Sequence, residues 1–195
     1  MITFALLGSG SSGNAIVVAS EDTCILIDNG LSYRELSRRA TLAGLDLASL
    51  SAVLITHEHG DHVAGIVTSG TYHSLPPRLG SLSRPQLFRA GDAWEVGDLG
   101  IESFSVNHDA VDPVGYAISS RGAKVGFAFD LGAPTHLVRQ RLAGSHALVV
   151  ETNYCPEMLR VGDYPESVKQ RISGKFGHLS NAAAADLVRD LLHPA

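Results

Sequence analysis

Residues 51–56, SAVLIT, form a continuous apolar run, which is the pattern of a strand buried inside a sheet. Similar strand-like runs stand on both sides of it along the chain. ITFALL, AIVVAS and CILID come before it, and IESFSV, VGYAIS, AKVGFAF and ALVVE come after it. Helical patterns lie between and after these runs. The order predicts one α/β domain, residues 1–195, in which a sandwich of sheets is covered by helices.

The first helical segment is predicted to begin at the capping residue Ser32 and to run to about Ala43, with Leu36 and Leu42 facing inward. Further helices are predicted at 134–144, 156–159, 165–172 and 182–192. The segment 70–90 contains three prolines and has no clean period, so it is predicted to be an irregular loop with at most one short strand.

Composition excludes several classes of protein. The chain has 195 residues and a formal net charge of −5, and 45% of its residues are hydrophobic, which is too apolar for a disordered chain. Two cysteines cannot form a disulfide framework. No apolar run has the length of a membrane span, and the N-terminus lacks the basic region of a signal peptide. We therefore expect a cytoplasmic protein with no membrane partner.

The acidic balance argues against a dedicated nucleic-acid-binding module, which would usually be basic. The segment 160–175 nevertheless concentrates positive charge. It is either a solvated helix face or a patch that faces phosphate groups. Its basic residues are Arg160, Lys169, Arg171 and Lys175.

The segment 56–62, THEHGDH, directly follows the buried run, so its side chains emerge where the strand ends. In extended backbone His57, His59 and Asp61 point the same way, because side chains alternate with a period of two. If a helix starts near Asp61, His62 turns away from that line. Two imidazoles could then hold one metal ion while Asp61 and His62 hold a second. Imidazole and carboxylate ligands suit zinc, iron or manganese.

THEHGDH resembles the signature of the metallo-β-lactamase superfamily, and other residues match later motifs of that superfamily in the same order. The matches are His108 in SVNHDAVDPVGY, Asp130 in VGFAFDLG, His178 in GHLSN and, before the signature, Asp28 in LIDNG. LLGSGSSGNAIVV, HDAVDPVGY and ETNYCPEML with the following YPESVKQRISGKFGHLSN resemble the YycJ/WalJ group, whose members look like exonucleases that act on DNA from the 5′ end.

The resemblance implies a four-layer αββα sandwich and two divalent metal ions, with zinc first and manganese or iron as other choices. One ion would be bound by His57, His59 and His108, and the other by Asp61, His62 and His178. Asp130 would bridge them, and Asp28 would support the ligands. A hydroxide shared by the ions would attack phosphorus, so that Asp61, Asp130 and His178 count as catalytic.

Candidate substrate contacts flank these positions. Ser11, Ser12 and Asn14 belong to a Gly/Ser loop whose N–H and hydroxyl groups could bind phosphate. Ser180 and Asn181 either bind a terminal phosphate or cap the last helix. The candidates for a proton donor or a clamp are Tyr154, Asp109 and Lys175.

Other functions remain open on the residues alone. A small-molecule hydrolase would cleave a cyclic phosphodiester, a thioester or a lactone. An iron oxidoreductase of the same fold would use part of the ligand set, and a non-catalytic binding module would keep only the fold. Four histidines fit no motif: His73, His136, His146 and His193.

Overall fold

The computed structural model describes residues 1–62, 67–68 and 86–192. The first sheet has four strands in the order β1-β2-β3-β4, in which β1 to β3 are antiparallel neighbours and β4 lies parallel to β3. These strands are β1 Thr3–Gly8, β2 Ala15–Ala19, β3 Cys24–Ile27 and β4 Leu50–Leu54. The predicted strand of residues 51–56 thus corresponds to β4 and the two residues after it. It lies at one edge of this sheet rather than inside it, and of the run only Leu54, Ile55 and Thr56 are buried.

The second sheet has five strands in the order β11-β10-β9-β8-β7, antiparallel except for the β10–β11 pair. Its strands are β7 Ala93–Val96, β8 Leu99–Ser105, β9 Val114–Ser120, β10 Ala123–Ala128 and β11 Ala147–Val150. Two short strands, β5 Val67–Thr68 and β6 Leu87–Phe88, pair separately. The strand β6 is the one short strand expected within the predicted loop, and β7, which follows the loop, was not predicted. Residues 70–85 of that loop lie outside the described residues.

The described helices are α1 Tyr33–Leu42, α2 His136–Leu142, α3 Pro156–Val161, α4 Glu166–Ser173 and α5 Asn181–Leu191, and a 3₁₀ turn spans Leu47–Ser49. Ser32 caps α1 as predicted, since its side chain accepts a hydrogen bond from the Glu35 N–H. The inward placement of Leu42 is wrong, because its side chain is 75% exposed. Leu36 and Ala40, four residues apart, share the buried face, whereas Leu42 is six residues from Leu36 and faces away.

The layers bury three groups of apolar side chains. Leu36 and Ala40 of α1 pack with Leu26 on the outer face of the first sheet. Residues of α2 and α5 pack on the outer face of the second sheet. A third group, which includes Ile27 and Phe127, fills the space between the sheets. This arrangement confirms the predicted αββα sandwich. Among the described residues, no helix is long and apolar enough to cross a membrane.

Two hydrogen bonds join the sheets where the THEHGDH segment begins. The Tyr116 hydroxyl of β9 donates to the Ile55 carbonyl over 2.5 Å, and the Val114 N–H donates to the Thr56 carbonyl over 3.0 Å. Tyr116 is fully buried and pairs across the ladder with Phe127 of β10. The end of β4 is therefore attached to the second sheet as well as to its own.

Candidate metal centre

The residues 57–62 form an irregular turn after β4 that is held by two neighbouring loops. The Asn14 N–H donates to the Asp61 carbonyl over 2.9 Å, and the Asn29 N–H donates to the His62 carbonyl over 3.0 Å. Gly30 lies flat against this turn, since a Cβ atom at Gly30 would stand 1.5 Å from the Asp61 carbonyl oxygen. The turn has its shape because the loops after β1 and β3 support it. The helix expected to begin near Asp61 falls on residues outside those described.

The other half of the cluster comes from the second sheet and the chain beyond it. His108 follows β8, Asp130 follows β10, and His178 precedes α5. Two of these loops are joined by the Gly132 N–H, which donates to the Asn107 carbonyl over 2.8 Å. Strands from both sheets thus end at one place, and the site lies between the sheets.

The structure brings all the sequence-predicted ligands together. His57, His59 and His108 can each offer a ligand atom within 4.8 Å of the others, and so can His57, His62 and Asp130. One carboxylate oxygen of Asp130 lies 3.6 Å from His57 Nε2 and 3.0 Å from His62 Nε2. The other oxygen lies 3.4 Å from His178 Nδ1. An Asp61 oxygen lies 3.5 Å from His62 Nε2. Asp130 is therefore central to the cluster.

Four of the five imidazoles use Nδ1 for a contact with a protein oxygen. His57 Nδ1 lies 3.0 Å from Thr56 Oγ1, and His62 Nδ1 lies 2.7 Å from Asp28 Oδ2. His108 Nδ1 lies 3.1 Å from the Gly177 carbonyl oxygen, and His178 Nδ1 lies 2.6 Å from Glu151 Oε1. This pattern is typical of metal-binding histidines, because a hydrogen bond at one ring nitrogen directs the other to the ion. The nitrogen and carboxylate donors of the cluster fit divalent metal ions.

The electrostatics of the cluster also suit cation binding. Burial and the charge of His62 lower the pKa of His57 to about 2, and burial lowers the pKa of His108, so both rings are neutral at pH 7. Burial opposes the charged form of His62, but the Asp28 and Asp130 carboxylates outweigh it and raise the pKa of His62 to about 12. Without a cation, a proton on His62 balances these carboxylates. A metal ion would take over that role.

Asp28 is a buried support for the cluster, in line with its expected position. Its carboxylate accepts from the Thr56 N–H over 2.9 Å and from the Thr56 hydroxyl, and it lies 2.7 Å from His62 Nδ1. Its backbone has a φ of +58°, a conformation that aspartate adopts more readily than most residues.

Glu151, which follows β11, was not among the predicted site residues. Its carboxylate lies 2.6 Å from His178 Nδ1, and its second oxygen accepts from the Leu131 and Leu179 N–H groups over 2.9 and 3.1 Å. It therefore joins the loop of Asp130 to the loop of His178. The available signal was a carboxylate directly after an apolar strand, and that position alone does not indicate which distant residue it contacts.

We expect Glu151→Gln to weaken metal binding by about 10- to 100-fold, which is the usual effect of losing a partner that orients a metal-bound histidine. The amide would keep the side-chain shape but remove the charge facing His178. Titration with zinc in competition with a chelator measures the metal affinity. Glu157→Gln, on the exposed face of α3, is the control, and equal affinities for the two variants would contradict the role.

A cleft of about 690 Å³ lies over the cluster, and residues from several loops and from α4 form its walls. The Gly/Ser loop between β1 and β2 contributes Ser9, Gly10, Ser11 and Asn14. Ser12 of the same loop is exposed. Asn14 also supports the cluster directly, because its Nδ2 lies 3.2 Å from an Asp61 oxygen and 2.7 Å from His62 Nε2.

The basic residues of 160–175 occupy different places. Arg171 lines the cleft, where its Nε donates to Asp109 over 2.6 Å, and the other Asp109 oxygen lies 3.3 Å from His108 Nε2. Lys175 lies over the Phe176 ring, 5.3 Å from its centroid.

The remaining candidate substrate contacts lie beside the cleft. Ser180 caps α5, because its Oγ accepts from the Ala183 N–H over 3.1 Å. Tyr154 and Asn181 line a neighbouring cavity.

Comparison with known proteins identifies the class to which this fold and site belong. Residues 23–194 match the family model described as "Beta-lactamase superfamily domain", so the chain belongs to the metallo-β-lactamase superfamily.

Within this class the chain is similar to named nucleases. It is 33% identical over 203 residues to exodeoxyribonuclease YycJ of Bacillus anthracis, with 97% of this chain and 77% of the relative covered. It is 34% identical over 209 residues to exodeoxyribonuclease WalJ of Streptococcus pneumoniae strain R6, with 96% and 76% covered.

A solved structure shows the same fold at lower identity. Zn²⁺-bound PqqB from Methylobacterium extorquens superposes with a TM-score of 0.71 and 16% identity, over 94% of this chain and 85% of that one. This likeness concerns the fold alone.

Proposed function

We propose that this chain is a metal-dependent exodeoxyribonuclease that hydrolyses phosphodiester bonds at a DNA end. The observation that carries the proposal is the convergence, beneath one cleft, of seven side chains whose imidazole and carboxylate groups could hold metal ions. Identity of 33–34% to two exodeoxyribonucleases, over most of both chains, supports DNA as the substrate class. The proposal includes a single domain over residues 1–195 and a cytoplasmic location.

The proposed metal ligands fall into two sets that share one carboxylate. His57, His59 and His108 would hold one ion. Asp61, His62 and His178 would hold the second, and Asp130 would bridge the two. Zinc is the first choice because imidazole and carboxylate are its usual ligands, and manganese or iron would accept the same donors. When bound, the two ions supply Lewis acidity, which activates water for attack and neutralises the charge of the phosphate.

The protein itself prepares the ligands for this task. Asp28, Glu151 and the Gly177 carbonyl hold three imidazole rings in fixed orientations, so little rearrangement is needed when substrate binds. Asn14 restrains the Asp61 carboxylate in the same way.

The cleft also offers groups that could bind the substrate phosphates. N–H and hydroxyl groups of residues 9–11 and the Arg171 guanidinium line it. Asp109 holds Arg171 at the cleft wall, close to His108. A phosphate in the cleft could therefore contact the Arg171 guanidinium as well as the Gly/Ser loop.

A substrate panel tests the proposal. Purified protein loaded with zinc or manganese is incubated with 5′-phosphorylated single- and double-stranded DNA, matched RNA, bis-p-nitrophenyl phosphate, a cyclic phosphodiester, a thioester and a lactone. We expect mononucleotides to be released progressively from a DNA end. Faster turnover of the thioester, the lactone or a cyclic phosphodiester, with no release of nucleotides, would favour the small-molecule hydrolase instead.

Metal removal should abolish hydrolysis and lower the melting temperature. A tightly bound ion stabilises the folded state, by about 4 kcal/mol when its concentration is 1,000 times Kd. Elemental analysis should find two ions per chain before chelation, and differential scanning calorimetry measures the change in stability. Readdition of zinc or manganese should restore both properties. Redox-active iron in half of this stoichiometry would favour the oxidoreductase, and unchanged melting after confirmed metal loss would contradict the centre.

A further inference from the structure

A second cavity, of about 650 Å³, lies beside the cleft of the metal cluster. Thr152 and Asn153 line both cavities, so the two are neighbours across this short segment. Its size is within the range of pockets that bind small organic groups. A substrate whose phosphate lies in the cleft could place its next chemical group in this cavity.

The wall between the two cavities is tied to the chain that carries His178. The Asn153 N–H donates to the Leu179 carbonyl over 2.9 Å, and the Asn181 N–H donates to the Tyr154 carbonyl over 2.9 Å. Leu179 directly follows His178. A group bound in the second cavity would therefore sit at a fixed position relative to the metal cluster.

The chemistry of the second cavity fits a flat heteroaromatic ring. Tyr154, Met158 and Tyr164 give it aromatic and thioether surface, and the Asn153 and Asn181 amides are both donors and acceptors. The Tyr164 and Met158 side chains are exposed although they are large and apolar (59% and 72%). Adjoining exposed apolar side chains commonly mark a binding site. Nucleobases bind proteins in this way, by stacking on aromatic rings and hydrogen bonding along their edges.

Basic side chains line both cavities that adjoin this one. Arg171 lines the cleft. A smaller cavity, of about 240 Å³, shares Tyr154 and Leu159 with the 650 Å³ cavity and is lined by Arg160, Lys169 and Glu166. Lys169 Nζ donates to the Arg160 carbonyl over 2.8 Å, which holds the ammonium group there. In a nucleic-acid strand the nucleoside that carries each base is joined to a phosphate on either side, so two neighbouring basic positions suit such a strand.

We propose that the 650 Å³ cavity is a nucleobase subsite, in which a base next to the scissile phosphate stacks on Tyr164. The inference rests on the proposed function and specifies the substrate of the same site. Arg160 and Lys169 would bind the phosphate on the far side of that base.

A binding experiment tests the subsite without relying on turnover. Deoxyadenosine 5′-monophosphate and 2-deoxyribose 5-phosphate, which lacks the base, are titrated into metal-loaded protein and followed by isothermal calorimetry. Stacking on one aromatic side chain corresponds to about a 5- to 150-fold gain in affinity, so the nucleotide should bind more tightly by such a factor. Tyr164→Ala should remove most of this preference, and Tyr164→Phe should keep it. Equal affinities for both compounds in the wild type would overturn the inference.

A second experiment uses DNA ends. 5′-Phosphorylated oligonucleotides carry a normal or an abasic residue at either nucleotide flanking the first bond, and kcat/KM is measured for each. Wild type and Tyr164→Phe should prefer the normal oligonucleotide, and this preference should fall towards one in Tyr164→Ala. If the wild type cleaves DNA with no such preference, the subsite is wrong while the nuclease proposal stands. If it cleaves no DNA, the nuclease proposal fails, and the calorimetric titration still decides the subsite.

Discussion

Replacing Asp61 by asparagine should lower the rate of hydrolysis by more than about 100-fold while the protein stays folded. Loss of a partner that only orients a metal ligand costs up to about 100-fold, so loss of a ligand itself should cost more. Asp61 is half-buried at the end of a turn, and the neutral amide removes the charge that faces His62. His59→Ala should have the same effect. Steady-state kinetics, elemental analysis and circular dichroism measure rate, metal content and folding.

Matched controls are available for both variants. Asp186→Asn changes an exposed aspartate of α5 that pairs only with the exposed Arg189 among the interactions described, and His136→Ala changes an exposed histidine of α2. Both should keep wild-type rates. A wild-type rate in Asp61→Asn would refute the two-metal assignment, because the second ion would then need no carboxylate at this position.

Asp28→Asn should destabilise the protein by about 3 kcal/mol, since breaking a buried charge pair by removing one partner typically costs 3–5 kcal/mol. The carboxylate is 1% exposed and faces both His62 and the Thr56 N–H. Asparagine also tolerates the positive φ of this position, so the loss of charge is the main change. For a chain of this size the melting temperature should fall by roughly 6–12 °C.

The control for Asp28→Asn is Asp22→Asn. Asp22 lies on the preceding turn and pairs with Arg121 at the surface, where a salt bridge contributes at most about 1 kcal/mol. Calorimetry on the metal-loaded proteins compares the two variants. The prediction is wrong if both lower the melting temperature equally. A loss of metal from Asp28→Asn alone would show that the stability and the ligand geometry depend on the same carboxylate.

The residue patterns predicted a sandwich of sheets covered by helices and one part of the cluster, and the family resemblance implied the αββα layering and the remaining ligand positions. Apolar runs separated by turns predict the strands, and HEHGDH directly after a buried run places polar side chains at a strand end. His108, Asp130 and His178 were reached through the family resemblance, since each alone is an ordinary polar residue after a strand or before a helix. The structure then shows that they lie together.

What the sequence could not supply depends on contacts between distant segments. Glu151 acts on His178, 27 positions later, and nothing local in ALVVE indicates this contact. Arg171 belongs to a basic segment with two possible interpretations, and only the packing of α4 places it in the cleft. Leu42 was assigned to the core from its apolar character, yet the neighbours it would need lie on the other side of α1.

The phenol of Tyr116 controls more than the filling of the core. Its hydroxyl donates to the Ile55 carbonyl, two residues before His57, and Tyr116 itself lies in β9. The strand β9 pairs with β10, and Asp130 follows the end of β10. The separation of the two halves of the catalytic cluster is therefore determined from within the protein, at a position that no substrate reaches. A change in the size of this interior side chain would therefore alter the spacing between the two halves while every proposed ligand is kept.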